Sequence, residues 1–243
     1  ISAVCKQQGH EVAVIDAFAE GLSIEEIKNS IGRIQPQVIG LTSFISNGNV
    51  IYELGRWIKN EYPQITVVFG NVHASVYADA YISNKCCDIV IHGEGEYTFL
   101  KVLNALDRKE RDFSGIPSIS YRYNDKVITT SGPVVIEDLT QLPLPDRDAL
   151  KQELYNIPSI SNLPYFAKKN SIAKHMFTSR GCIFSCSFCV VHNKMGQRCN
   201  SVSNVINEMV LLTSDKYSAE YIFIMDPIFT SNKKRVIDIC KEI

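Results

Sequence analysis

Between Val12 and about Leu106, short β-branched runs alternate with stretches in which apolar residues recur every three to four positions. That alternation is the pattern of β-α-β units and a parallel sheet. It predicts strands at 12–16, 38–42, 66–69 and 88–91. Between the second and third of these, Val50, Ile51, Leu54, Trp57 and Ile58 share one helical face, and Pro63 follows the helix end. The strands are almost unbroken in apolar character, which predicts burial on both faces, as in a doubly wound, Rossmann-like α/β sheet. Trp57 and its aliphatic partners therefore read as core.

Farther along, residues 118–122 and 127–130 read as two strands flanking Asn124-Asp125, a hairpin appended to that sheet. Residues 131–171 are rich in proline, with Leu142-Pro143-Leu144-Pro145-Asp146, Ile157-Pro158 and Leu163-Pro164. Proline and the residue before it favour extended backbone, so this stretch is expected to be a linker over the surface. A second region, 172–243, reads as strand (175–179), loop, helix (about 203–213), strand (221–225), helix (232–242), the start of a β/α barrel. The expected organisation is thus one domain at 1–130, a linker at 131–171 and a second domain at 172–243. Both ends read as cut: the chain opens on a helix tail closed by Gly9 and stops inside an amphipathic pattern.

Composition narrows the function classes. With 243 residues, 45% hydrophobic and a formal charge of −1, the chain has ample core and no electrostatic footprint for nucleic acid. No apolar run reaches the length of a membrane span, and no secretory signal pattern opens the sequence. A reducing cytoplasm is the expected compartment.

The concentrated chemistry lies in Cys182, Cys186 and Cys189, spaced Cys-x-x-x-Cys-x-x-Cys in the loop after the first strand of the second region. Soft thiolates select zinc or iron–sulfur clusters, and three ligands are one short of a closed tetrahedral site. Zinc would need His192 or Cys199 as a fourth ligand. A disulfide framework does not suit a chain of this length without a signal peptide, and chance clustering is the remaining alternative. The other five cysteines, Cys5, Cys86, Cys87, Cys199 and Cys240, lie on apolar or helical stretches and read as ordinary thiols. An open-cornered cluster fits the triad best.

The triad, with Phe188 immediately before its last cysteine and Thr178-Ser179-Arg180-Gly181 ahead of it, resembles the radical S-adenosylmethionine enzymes. The resemblance implies that Cys182, Cys186 and Cys189 hold a 4Fe-4S cluster whose free iron is chelated by S-adenosylmethionine, that electron transfer releases a 5′-deoxyadenosyl radical, and that Phe188 lies near the adenine. It also implies an external electron donor such as flavodoxin or ferredoxin. Ile183 stands where close relatives often carry proline. Asp226, after the strand at 221–225, is expected to accept a hydrogen bond from a cofactor amino group, or else to cap the turn before Pro227. Arg198 is carried over as a carboxylate partner and Glu208 as a helix residue that reads equally as a solvated face.

In the first region, open parallel sheets bind ligands beyond the carboxyl ends of their strands, which singles out the loops at 42–44, 70–75 and 92–98. Gly-Glu-Gly-Glu at 93–96 alone is also what a helix N-terminus favours. Together, Gly70-x-x-His73-Ala74 and Asp88-x-x-x-x-Gly93-Glu94-Gly95-Glu96-x-x-Phe99 resemble the cobalamin-binding domain preceding the radical domain in one large branch of that family, and the Leu-Pro-x-Pro element and Arg198 resemble it too. By that likeness Thr42, Ser43, Gly70, His73, Gly93, Glu94 and Glu96 line the cobalamin. His73 is not in an Asp-x-His-x-x-Gly element and is not assigned as a cobalt ligand. No Gly-x-Gly-x-x-Gly opens a helix after a first strand, and acidic residues at 94 and 96 would repel a pyrophosphate, which disfavours NAD or FAD. The expected activity is cobalamin-dependent methyl transfer to a small-molecule substrate. Radical cyclisation or rearrangement is the alternative within the family, and a non-catalytic metal- or cobalamin-binding module the alternative outside it.

Overall fold

A computed structural model describes residues 1–155, 172–189 and 196–243. These fall into two compact units, one built mainly from residues 21–135 and the other from 13–20 and 136–243.

In the first unit, β1 (Val38–Thr42), β2 (Thr66–Gly70) and β3 (Ile89–Ile91) pair in parallel in that order, and β4 (Ile119–Tyr123) and β5 (Lys126–Thr129) extend the sheet antiparallel. The sheet is therefore mixed, with a parallel core and the expected hairpin at its edge. Asn124 and Asp125 both have positive φ, 48° and 60°, the geometry a two-residue hairpin turn with matching twist requires. Helices α2 (Ile24–Ile34), α3 (Gly48–Glu61), α4 (Val72–Val76) and α5 (Ala78–Ser83) follow a short α1 (Ser2–Gln7), and α6 (Glu96–Asp107) follows β3.

Alternation along β2 and β3 divides the core between two faces. Val67, Phe69 and Val90 pack with Ile31, Leu54, Ile58, Tyr81 and Ile82, while Val68, Ile89 and Ile91 pack with Val102 and Ala105 of α6 and with Ile119 and Tyr121. Helices thus cover both faces, as the unbroken apolar strands predict. At the amino end of β3, Asp88 accepts from Lys59 Nζ and from the Val67 amide, both at 2.8 Å, tying α3 to two strands.

Residues 12–16, expected as a strand, form none. A β-branched run needs a ladder partner, and this one pairs with nothing among the described residues; Ala13–Glu20 instead joins the second unit, where Asp16 caps a turn through the Ala19 amide and accepts from the Tyr155 hydroxyl.

The second unit contains β6 (Ala173–Met176) and β9 (Tyr221–Ile224), parallel and in register, with α7 (Val202–Thr213) between them and α8 (Lys233–Glu242) after. Met176, Val205, Leu212, Ala219 and Ile239 form its core. This β-α-β unit is the repeating element of a β/α barrel. The chain breaks at Phe177, so the strand expected at 175–179 ends early, and a separate two-residue ladder forms between β7 (Ser179–Arg180) and β8 (Arg198–Cys199).

Residues 136–155, expected within a surface linker, belong to this unit: Ile136 and Leu139 are buried, and Arg147 donates to the His175 carbonyl at 2.8 Å and to Glu208 at 2.6 Å. Glu208 is 4% exposed, so it is a buried ion-pair partner and not a solvated helix face. The elements Ile157-Pro158 and Leu163-Pro164, and His192, lie outside the described residues. No helix among the described residues is long and apolar enough to cross a membrane.

Two stability outcomes follow from this packing. A Cβ on Gly55 of α3 would lie 2.2 Å from the Cys86 carbonyl oxygen and 2.8 Å from the Phe69 ring, so Gly55→Ala is expected to destabilise by roughly 1–3 kcal/mol in chemical denaturation, whereas Gly115→Ala, which meets nothing within 4 Å, is expected to change little. Arg147→Ala strands the Glu208 carboxylate in the second unit and is expected to cost roughly 3–5 kcal/mol by the same measurement.

Candidate functional site

Each unit carries one candidate site at the carboxyl ends of its parallel strands. In the first unit, Thr42 ends β1 opposite Gly70 at the end of β2, and the Ser43 amide donates to the Gly70 carbonyl at 3.1 Å. Asn47 closes the intervening turn, accepting from the Phe44 amide at 2.7 Å and donating to the Thr42 carbonyl at 3.1 Å.

Ser43 is fully buried. Its hydroxyl lies 2.9 Å from His73 Nδ1 and 3.1 Å from the Tyr81 hydroxyl, which is itself 3.0 Å from Nδ1. Both hydroxyl hydrogens find acceptors within this triangle when Nδ1 accepts and the imidazole proton is on Nε2. The ring packs on Gly48, the first residue of α3, where a Cβ would come 2.6 Å from His73 Cε1. Tyr81 is the member that sequence reasoning missed; an aromatic on a helical stretch reads as core, and nothing local signals its partners. Gly70 faces open space, with no atom within 4 Å of where its Cβ would be.

Gly93 (φ 69°), Glu94 and Glu96 occupy the loop after β3 and the start of α6, with Gly95 as the N-cap and Glu96 in the first turn, where an acidic side chain complements the helix dipole. Next to them His92 Nε2 meets Ser120 Oγ at 2.8 Å, and burial lowers the His92 pKa. Around the ends of β1 and β2, Phe44, Ile45, Val72, Val76 and Tyr77 are exposed, an apolar rim beside polar Ser43 and His73.

In the second unit, Cys182, Cys186 and Cys189 are free thiols in the loop between β7 and β8. Cys182 is buried; Cys186 and Cys189 are exposed and share a turn in which the Cys189 amide donates to the Cys186 carbonyl at 3.0 Å. Phe188 stands 89% exposed beside Cys189. No three His, Cys, Asp or Glu side chains among the described residues are gathered closely enough to hold a metal ion. The donor chemistry of three thiols on a single loop fits a thiophilic cluster.

Asp226 directly follows β9 and spends both carboxylate oxygens on the chain itself. Oδ1 accepts from the Thr178 and Ser179 amides at 2.6 and 3.1 Å, and Oδ2 from their hydroxyls at 2.6 and 2.7 Å. The acceptor capacity expected to meet a cofactor amino group is taken up in this way. Arg198, expected to meet a carboxylate, is buried on β8 with Nη1 donating to the Ile136 carbonyl at 2.7 Å.

Comparison with known proteins adds to this geometry. The B12 binding domain family matches residues 1–103. An uncharacterised methyltransferase of Pyrococcus horikoshii is 32% identical over 240 residues, 98% of this chain and 50% of its own. The anaerobic magnesium-protoporphyrin IX monomethyl ester cyclase of Rubrivivax gelatinosus is 27% identical over 241 residues, 96% of this chain and 41% of its own. The chain thus spans about half the length of these curated relatives, or less. The solved structure of the cobalamin-dependent S-adenosylmethionine radical enzyme OxsB, with aqua-cobalamin and S-adenosylmethionine bound, is similar over 99% of this chain and 33% of that one, with a TM-score of 0.79 and 25% identity. With a B12 binding domain match at one end and a cysteine-bearing β-α-β unit at the other, the chain is similar along nearly its whole length to cobalamin-dependent radical S-adenosylmethionine enzymes.

Proposed function

We propose that the protein transfers a methyl group to an unactivated carbon of a small-molecule substrate by radical chemistry. In this reading Cys182, Cys186 and Cys189 hold a 4Fe-4S cluster, and the exposed ring of Phe188 lies against the adenine of S-adenosylmethionine. When bound, the cluster supplies the electron that cleaves S-adenosylmethionine, and cobalamin carries the methyl group. The observation that carries the reading is the placement of three free thiols in one loop at the carboxyl end of a parallel β-α-β unit, where β/α enzymes keep their chemistry.

The cobalamin half rests on the first unit. Thr42, Ser43, Gly70, His73, Gly93, Glu94 and Glu96 all stand at or after the carboxyl ends of β1 to β3. An exposed apolar rim with a few fixed polar groups suits a large, flat, mostly apolar macrocycle with amide side chains. His73, its Nδ1 occupied by the two hydroxyls, offers an Nε2 proton to such an amide and is not assigned to cobalt. The Gly70 position leaves room for a ligand to reach the backbone. An external donor such as flavodoxin or ferredoxin supplies electrons, and the cytoplasm is the compartment that keeps the thiols reduced.

A second reading, radical cyclisation, is favoured by the likeness to the magnesium-protoporphyrin ester cyclase. The two differ in their product: methyl transfer adds one carbon to the substrate and cyclisation adds none.

Anaerobic reconstitution of the full-length protein with iron and sulfide, followed by S-adenosylmethionine and a reductant, is expected to yield 5′-deoxyadenosine, and Cys182→Ala, Cys186→Ala or Cys189→Ala is each expected to abolish it. A colourless ion held by all three thiols, with no 5′-deoxyadenosine, would return the chain to a zinc module. In titrations followed by corrin absorbance, His73→Ala is expected to weaken cobalamin binding by roughly tenfold, ~1.4 kcal/mol. Wild-type protein that retains no corrin overturns the cobalamin half.

A further inference from the structure

The loop that carries the three cysteines is fastened at both ends by side chains far from it in sequence. At its entrance, Thr178 and Ser179 are fully buried, and Asp226 accepts hydrogen bonds from both of their amides and both of their hydroxyls. Because β9 runs parallel to β6, the residue after β9 lies beside the residues after β6, which brings the carboxylate to this point. At its exit, Gln197 donates to the Ile228 carbonyl at 2.7 Å and to Ser179 Oγ at 3.3 Å, and accepts from Ser231 Oγ at 2.5 Å.

The two ends are also held to each other. Ser179 pairs with Cys199 and Arg180 with Arg198. Arg235 Nη2 and the Asn200 amide both donate to the Thr178 carbonyl, at 2.8 and 2.9 Å. Gly181 has φ +78° and approaches so closely that a Cβ on it would lie 1.9 Å from the Gly196 carbonyl oxygen. Between these ends the picture changes. Cys186 and Cys189 are exposed, and no three ligating side chains are gathered among the described residues.

We propose that Asp226 is a positioning residue that closes the mouth of the cysteine loop, with Gln197 closing it from the other strand, so that a cluster has only the tip of the loop to organise. The proposal rests on the reading that the three thiolates hold a cluster. A carboxylate accepting four hydrogen bonds in a partly buried site forms strong, charge-assisted contacts, and its removal leaves two amides and two hydroxyls without their partner. Holding the mouth shut fixes both ends of the loop before a cluster binds, which removes in advance part of the entropy cost of ordering it. Metal binding is then coupled to the approach of the three thiols.

The test compares wild-type, Asp226→Ala, Asp226→Asn and Gln197→Ala protein. Amide hydrogen exchange is measured without iron, and iron content and the electron paramagnetic resonance signal after reconstitution. Asp226→Ala is expected to speed exchange at Thr178 and Ser179 by at least roughly tenfold, the scale of losing a charge-assisted hydrogen bond, while the core amides of α7 keep their protection. It is also expected to retain less iron. Asp226→Asn, whose side-chain oxygen still accepts from both amides, is expected to restore most of the protection and iron. Gln197→Ala is expected to lower iron retention with α7 intact, and it carries the test should Asp226→Ala fail to fold. Unchanged exchange at Thr178 and Ser179 overturns the proposal. So does an Asp226→Ala protein with full iron content that loses only the change in signal on adding S-adenosylmethionine, because Asp226 would then touch the cofactor. Wild-type protein that takes up no iron sinks the metal reading instead, and leaves the exchange comparison standing.

Discussion

Parallel strands cannot be joined by a tight turn; each needs a crossover, and crossovers deliver the loops after successive strands to one edge of a sheet. That constraint gathers Ser43, His73 and Gly93 from three separate stretches of the first unit. It acts again in the second unit, where the ends of β6 and β9 lie side by side and Asp226 meets Thr178 and Ser179. Both candidate sites are consequences of pairing direction before any particular side chain enters.

Burial also sorts the cysteines by reactivity. Cys86 and Cys87 lie inside the first unit, where burial pushes the Cys86 pKa up to about 11 and the Cys87 pKa higher still. At neutral pH they are neutral thiols and poor metal ligands. Cys186 and Cys189 are instead open to solvent. Burial therefore sets Cys86 and Cys87 apart as structural thiols, while spacing is what singles out the triad, whose Cys182 is itself buried.

Much of this is legible in the sequence where local pattern and tertiary demand coincide. The run at 66–69 is apolar on both faces because both faces are covered, whereas the run at 38–42 forms an edge strand with none of its residues fully buried, and Asn124-Asp125 tolerates the positive φ of its turn. The run at 12–16 has the same local preference without a partner, and preference alone does not make a strand. Prolines at 143 and 145 suggest a free linker, but Ile136, Leu139 and Arg147 carry the packing of that stretch, and an arginine's buried partner is invisible in one dimension. Asp226 stands out in the sequence as a special carboxylate, yet its neighbours Thr178 and Ser179 come from the adjacent strand end. Tyr81 is hidden for the same reason, since its partners Ser43 and His73 reach it only through the fold.

The contact between Gly48 and His73 reaches beyond packing. The first residue of α3 leaves room for the imidazole only because it has no side chain. A methyl placed there would lie 2.6 Å from Cε1 and force the ring to shift from its place beside Ser43 and Tyr81. A single hydrogen atom at the head of a helix thereby keeps open the place that the histidine takes beside two hydroxyls.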